Sequence, residues 1–164
     1  MSQTIIDPNK LFTCFCSVAD KTVYLYFDNN NIISTTNILK QLAEQSPFID
    51  LSENNYVTMQ DEEEFSSINE IILNYKATTQ NAPYFLINYL PENGKLYLYL
   101  NKEGIYDLIN SLNALLKSFN AKRDDDISYM IEEWGQDSCI LQNYCLINNS
   151  IVICHLRLYG KLYR

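Results

Sequence analysis

Displaced by 73 positions, the segment Phe12–Leu42 lies on Phe85–Leu115 without a gap. TVYLYFDNNNIISTTNILKQL then stands above KLYLYLNKEGIYDLINSLNAL, with Phe12/Phe85, Tyr24/Tyr97, Leu25/Leu98, Tyr26/Tyr99, Ile32/Ile105, Leu39/Leu112 and Leu42/Leu115 identical. A self-match at a fixed displacement restricts a fold more tightly than composition does, because each copy must form the same local elements. In both copies an alternating run is followed by a tight polar turn, a second alternating run and then a helical pattern.

The first copy reads as strands over Leu11–Val18 and Thr22–Asp28 around the turn Ala19-Asp20-Lys21. The second reads as Pro83–Leu90 and Lys95–Asn101 around Pro91-Glu92-Asn93-Gly94. Asn93-Gly94 is a strong hairpin signal, because glycine tolerates the positive φ such turns need. Tyr24 and Tyr26, like Tyr97 and Tyr99, fall on one face of their strands. Val23, Leu25 and Phe27, like Leu96, Leu98 and Leu100, fall on the other. Both faces are substantially apolar, so each strand is expected to be covered on two sides.

The helices should follow. Ser34 is a plausible N-cap for a helix over Thr35–Gln45, since its hydroxyl can accept from the first turn's amides. Glu103–Phe119 carries a wide apolar stripe of period 3.6 through Ile105, Leu108, Ile109, Leu112, Leu115, Leu116 and Phe119, preceded by Asn101 or Lys102. Past the helices the match continues with Phe48–Leu51 on Ile127–Met130, displaced by 79, and Ile71–Leu73 on Ile151–Ile153, displaced by 80. An insertion within Lys117–Asp126 accounts for most of that change. The expected fold is therefore α+β: an internal duplication of a strand–strand–helix–strand–strand unit, mostly antiparallel, with helices packed on one face. The repeats span about 10–77 and 83–160 of a single compact domain over 1–164, because the polar stretch between them is too short to be a flexible linker.

Composition narrows the function. The net charge of −8, from 20 acidic against 12 basic residues, argues against nucleic acid as a direct partner, since phosphate binding needs clustered Lys and Arg. An acidic surface suits a basic protein partner, or solubility alone. The five cysteines Cys14, Cys16, Cys139, Cys145 and Cys154 contain no CxxC pair, so they read as reduced thiols rather than a disulfide or zinc framework. The first residues, MSQTIIDPNK, lack the pattern of a signal peptide, and no apolar run is long enough to span a bilayer. A cytoplasmic protein is expected.

The catalytic inventory is thin. His155 is the single histidine, inside the apolar run Ile151–Tyr159, with Cys154 beside it. Neighbours in a strand point to opposite faces, and a thiolate needs a base or positive field. No GxGxxG or GxxxxGK[ST] loop occurs. No cofactor and no metal site is expected. Carboxylates are the conspicuous resource: Asp61, Glu62, Glu63 and Glu64; Asp124, Asp125 and Asp126; and Glu132 and Glu133 before Trp134. Such runs are usually solvated, but they also form electrostatic contact patches. Trp134, the one tryptophan, reads equally as a core plug or an interface anchor.

The features KLYLYLNKEGIYDLINSLNALLKS, DISYMIEEWG and SIVICHLRLY together resemble the small immunity proteins of bacterial polymorphic and contact-dependent toxin systems. Glu132, Glu133, Trp134 and Gly135 match that family's acidic turn, and His155 and Tyr159 match its final strand. Ser128 and Tyr129 depart from it where histidines stand, as do Gln136 for a second glycine and Cys154 for asparagine. The resemblance implies stoichiometric neutralisation of one cognate toxin C-terminal domain, a basic one if it is a nuclease, without turnover or cofactor. On this reading Glu132, Glu133 and Trp134 make contact, with Asp61–Glu64 and Asp124–Asp126 behind them. A small enzyme with a Cys–His or carboxylate site, and a self-associating structural subunit, are the alternatives from other classes.

Overall fold

The computed structural model describes residues 6–52, 54–58, 66–77, 82–130 and 149–160. These described residues form an α+β fold with two helices and two mixed, mostly antiparallel sheets. The elements are β1 (Thr13–Ser17), β2 (Thr22–Phe27), α1 (Asn29–Glu44), β3 (Phe48–Leu51), β4 (Val57–Thr58), β5 (Glu70–Tyr75), β6 (Phe85–Leu90), β7 (Lys95–Leu100), α2 (Lys102–Asn120), β8 (Asp125–Met130), β9 (Ile151–Ile153) and β10 (His155–Gly160). Sheet A runs in the order β4-β1-β2-β10-β8, and sheet B in the order β3-β5-β7-β6-β9.

Neither half builds a sheet alone. The β1–β2 hairpin of the first half pairs in parallel with β10 from the second, Thr22 facing His155 and Phe27 facing Gly160. The β6–β7 hairpin of the second half pairs in parallel with β5 from the first, Glu70 facing Lys95 and Tyr75 facing Leu100. The same pairing plan thus appears twice, with the later strands exchanged between halves. Its register differs from the sequence expectation. Ile71–Leu73 corresponds to Leu156–Leu158 and not to Ile151–Ile153, because His155–Gly160 is the stretch that lies beside β2 as Glu70–Tyr75 lies beside β7. By the same pairing Phe48 corresponds to Asp126, one residue earlier than expected. A one-residue slip reverses every side chain, so the apolar set decides the register.

The run Ile151–Tyr159 is not one strand. Ile151–Ile153 pairs with β6 in sheet B, and the chain then passes to sheet A at Cys154. The crossing is fixed by the amides of Cys154 and His155, which both donate to the carbonyl of Lys21 at 2.8 and 3.1 Å. At the corresponding corner Asn69 donates its amide to the carbonyl of Gly94 at 2.8 Å. Lys21 and Gly94 hold equivalent turn positions, both left-handed, at φ 49° and 67°.

Alternation places Cys14, Cys16, Val23, Leu25, Phe27, Leu156 and Leu158 on the inner face of sheet A, all buried. The inner face of sheet B carries Ile71, Leu73, Phe85, Ile87, Leu96, Leu98 and Leu100, and both faces join one core. The two helices pack on each other and each reaches both sheets. Gly160 faces α2 so closely that an added Cβ would meet Phe119 and Leu115 at 3.3 and 3.4 Å.

Both helices begin earlier than expected. The cap of α1 is Asp28, not Ser34. Its carboxylate accepts the Asn31 amide at 2.9 Å, and Asn31 Oδ1 accepts the Asp28 amide at 3.1 Å. Asn31 Nδ2 donates to the carbonyls of Asp7 and Lys10 at 2.8 and 2.6 Å. A buried reciprocal cap outweighs a half-buried serine later in the sequence. At α2 the cap is Asn101, one of the two expected residues.

Candidate functional site

Alternation also fixes what the sheets turn outward. On sheet A the outer face carries Thr13, Phe15 and Ser17 of β1, Tyr24 and Tyr26 of β2, His155, Arg157 and Tyr159 of β10, and Asp126 and Ser128 of β8. The β1 side is buried, whereas Tyr24, Tyr26 and Tyr159 are half-buried and Ser128 and Asp126 are exposed. Tyr159 stacks between Tyr26, at 4.7 Å and 11°, and Tyr24, at 6.3 Å and 20°. Phe15 meets Tyr26 edge-on at 5.4 Å. The guanidinium of Arg157 lies over the Tyr159 ring at 5.3 Å and reaches the Asp126 carboxylate at 3.6 Å. Burial, followed by the neighbouring phenols, pushes Tyr26 above the ordinary tyrosine range. Tyr26 therefore stays a neutral hydroxyl at physiological pH, able to donate and accept.

The outer face of sheet B has a related layout and different chemistry. It presents Phe48 and Asp50 of β3, Ile72 and Asn74 of β5, and Tyr97 and Tyr99 of β7. Tyr97 and Tyr99 stack at 6.4 Å and 13°. Part of this face is closed by the chain itself: Tyr84 and Leu86 form a small buried cluster against Ala82, Tyr99 and Val152. Its charges include the pair Glu70–Lys95, 3.4 Å apart.

The thiols placed in the structure divide in the same way. Cys14 and Cys16 lie on the inner face of sheet A, with Cys14 fully enclosed. Burial pushes the Cys14 thiol well above its ordinary value and raises Cys16 to about 12. Neither shares a face with His155, which lies outward on β10. The expected Cys–His alternative is thus not assembled from Cys14 or Cys16; Cys139 and Cys145 lie outside the described residues. Cys154 occupies the crossing between sheets and is half-buried.

Of the acidic residues singled out, Asp124, Asp125 and Asp126 are exposed where the chain enters β8. Asp125 accepts from Ser118 Oγ at 2.9 Å and from the Asp126 amide at 2.9 Å. The Ser118 hydrogen bond, then that of the amide, holds its carboxyl below the usual range, so it stays ionised rather than serving as an acid. Asp61, Glu62, Glu63, Glu64, Glu132, Glu133 and Trp134 lie outside the described residues. Among the described residues no three His, Cys, Asp or Glu side chains converge to hold a metal ion. Two open depressions line α2, of about 380 and 520 Å³. The first is lined by Pro83, Lys102, Glu103, Tyr106, Asp107 and Asn110, without a histidine or thiol. No described helix is long and apolar enough to cross a membrane.

Sequence reasoning put Tyr24 and Tyr26 on one face but did not join them to Tyr159 and Arg157. That union depends on the parallel pairing of β2 with β10, which brings together residues more than a hundred positions apart. Comparison of this chain with protein-family models, with curated proteins and with solved structures returns no match.

Proposed function

We propose that this chain is a binding protein of the immunity type, which neutralises a cognate bacterial toxin domain by stoichiometric occlusion. The observation that carries the reading is the exposed Asp124–Asp126 run where the chain enters β8. On a chain of net charge −8 it favours a basic protein partner. The resemblance carried by DISYMIEEWG and SIVICHLRLY supports the same reading. Opposite charge accelerates encounter, while buried aromatic contacts set the lifetime of such complexes.

The test is co-expression with the C-terminal domain encoded immediately upstream. That domain should kill cells alone, and this chain should restore growth while forming a complex of fixed stoichiometry. A harmless upstream domain, or rescue without a complex, overturns the proposal. One observation favours a self-associating subunit as a second reading: Phe48, on β3 at the edge of sheet B, is 58% exposed. Sedimentation across a wide range of protein concentration, with no other component present, decides it: a mass that rises with concentration supports self-association.

A further inference from the structure

We infer that the β2–β10–β8 part of the outer face of sheet A is the surface that engages the partner, and that it takes a basic protein surface. This rests on the proposed inhibitor reading and goes further by naming the face. The stack of Tyr24, Tyr159 and Tyr26 places three aromatic rings side by side, all half-buried. Tyrosine and arginine, with tryptophan, are enriched at energetic centres of interfaces, and tyrosine buries a large area at small entropic cost. Around the stack lies the polar border such a centre needs: exposed Ser128 and Asp126 on the same face, with exposed Asp124 at the entry to β8.

Charge selects the occupant. Among the described lysines and arginines, Arg157 is the one on this part of the face, and it is engaged by Asp126 and by the Tyr159 ring. The aromatic rings, bordered by the exposed carboxylates of Asp124 and Asp126, suit the side chains of lysine and arginine. The net charge of −8 attracts the same partner from a distance. Sheet B is the weaker candidate, since Tyr84, Leu86 and Val152 already pack against its Tyr99.

The matched experiment measures affinity for the upstream-encoded toxin domain by titration calorimetry. On sheet A the variants are Ser128→Arg, which adds bulk and positive charge at an exposed site, and the double change Tyr24→Ala with Tyr159→Ala. On sheet B they are Asp50→Arg, at the position corresponding to Ser128, and Tyr97→Ala with Tyr99→Ala. The sheet A changes should each weaken binding about a hundredfold and the sheet B changes less than about threefold. Ser128→Arg keeps the test decisive even if the tyrosine double variant fails to fold. Full binding by Ser128→Arg, with loss in the sheet B variants, overturns the face and leaves the inhibitor reading standing. A wild-type homodimer that Ser128→Arg dissociates assigns the face to a second copy and overturns the inference. A wild-type chain that does not bind the toxin domain overturns both.

Discussion

At the start of α1 the capping work is divided, whereas at the start of α2 it is concentrated. Asp28 accepts the Asn31 amide, and Asn31 separately ties the helix to the carbonyls of Asp7 and Lys10. In the second half Asn101 does all of this. Its Oδ1 accepts the amides of Gly104 and Tyr84 at 2.7 and 2.9 Å, and its Nδ2 donates to the Ala82 carbonyl at 2.7 Å. The position corresponding to Asn31 is then Gly104, where an added Cβ would meet the Tyr84 carbonyl at 2.6 Å. In each half a helix must be clamped to the segment leading into its hairpin. A long side chain spans the gap in one case, and the absence of any side chain closes it in the other.

This difference predicts the largest effects. Asn101→Ala removes the cap and leaves two buried amides without their acceptor, at a cost of about 3 kcal/mol. Asp28→Ala or Asn31→Ala alone should cost about 1–2 kcal/mol, because the other residue keeps its share. Urea denaturation of the three variants measures this directly. Equal losses in all three would break the contrast between divided and concentrated caps.

Much of the local structure is legible in the sequence, and the long-range structure is far less so. Asn93-Gly94 and the Tyr-Leu-Tyr alternation mark the hairpins, since turn chemistry and period-two burial are local properties. The apolar stripe of α2 gives its limits to within a residue, whereas α1 loses its first turns because Asn29–Asn31 looks like a loop. The cap Asp28–Asn31 is recognisable only as a pair that satisfies each other's amides. The exchange of strands between sheets leaves one faint trace. Ile151 and Ile153 follow one alternation while Leu156 and Leu158 follow the opposite one, so the phase slips at Cys154. That slip marks the crossing; the identity of the receiving strand is a tertiary fact. For the same reason the Tyr24–Tyr159–Tyr26 stack is not visible from either strand alone.

The two hairpin turns give a smaller test with opposite signs. Gly94 and Lys21 share the left-handed conformation, which costs an L-residue about 1 kcal/mol. Gly94→Ala should destabilise by about 2 kcal/mol, since its Cβ would also meet Asn69 Nδ2 at 2.8 Å and the Ser67 carbonyl at 2.9 Å. Lys21→Gly should stabilise by about 0.5 kcal/mol, relief of strain being partly offset by the greater freedom of glycine in the unfolded chain. Melting temperatures of both variants check the signs. A destabilised Lys21→Gly would mean that the lysine side chain contributes more than its backbone strain costs.

The smallest expected effects separate the ion pairs of the two outer faces. Glu70–Lys95 on sheet B is 3.4 Å apart with side chains 28% and 35% exposed, and Arg157–Asp126 on sheet A is 3.6 Å apart with 40% and 50% exposed. Exposed pairs gain little, because water screens the attraction and ordering two long side chains costs entropy. A double-mutant cycle should therefore give about 0.5 kcal/mol for Glu70–Lys95 and about 0.2 kcal/mol for Arg157–Asp126, both falling in high salt. Arg157→Ala should nevertheless cost more than Asp126→Ala, by about 0.5 kcal/mol, because the guanidinium also packs on the Tyr159 ring at 5.3 Å. A coupling above about 1 kcal/mol for Arg157–Asp126 would show that this face invests its charges in folding. A coupling near zero leaves Asp126 free to exchange Arg157 for a lysine or arginine of the partner at almost no cost in stability, which a recognition surface requires and a purely structural one does not.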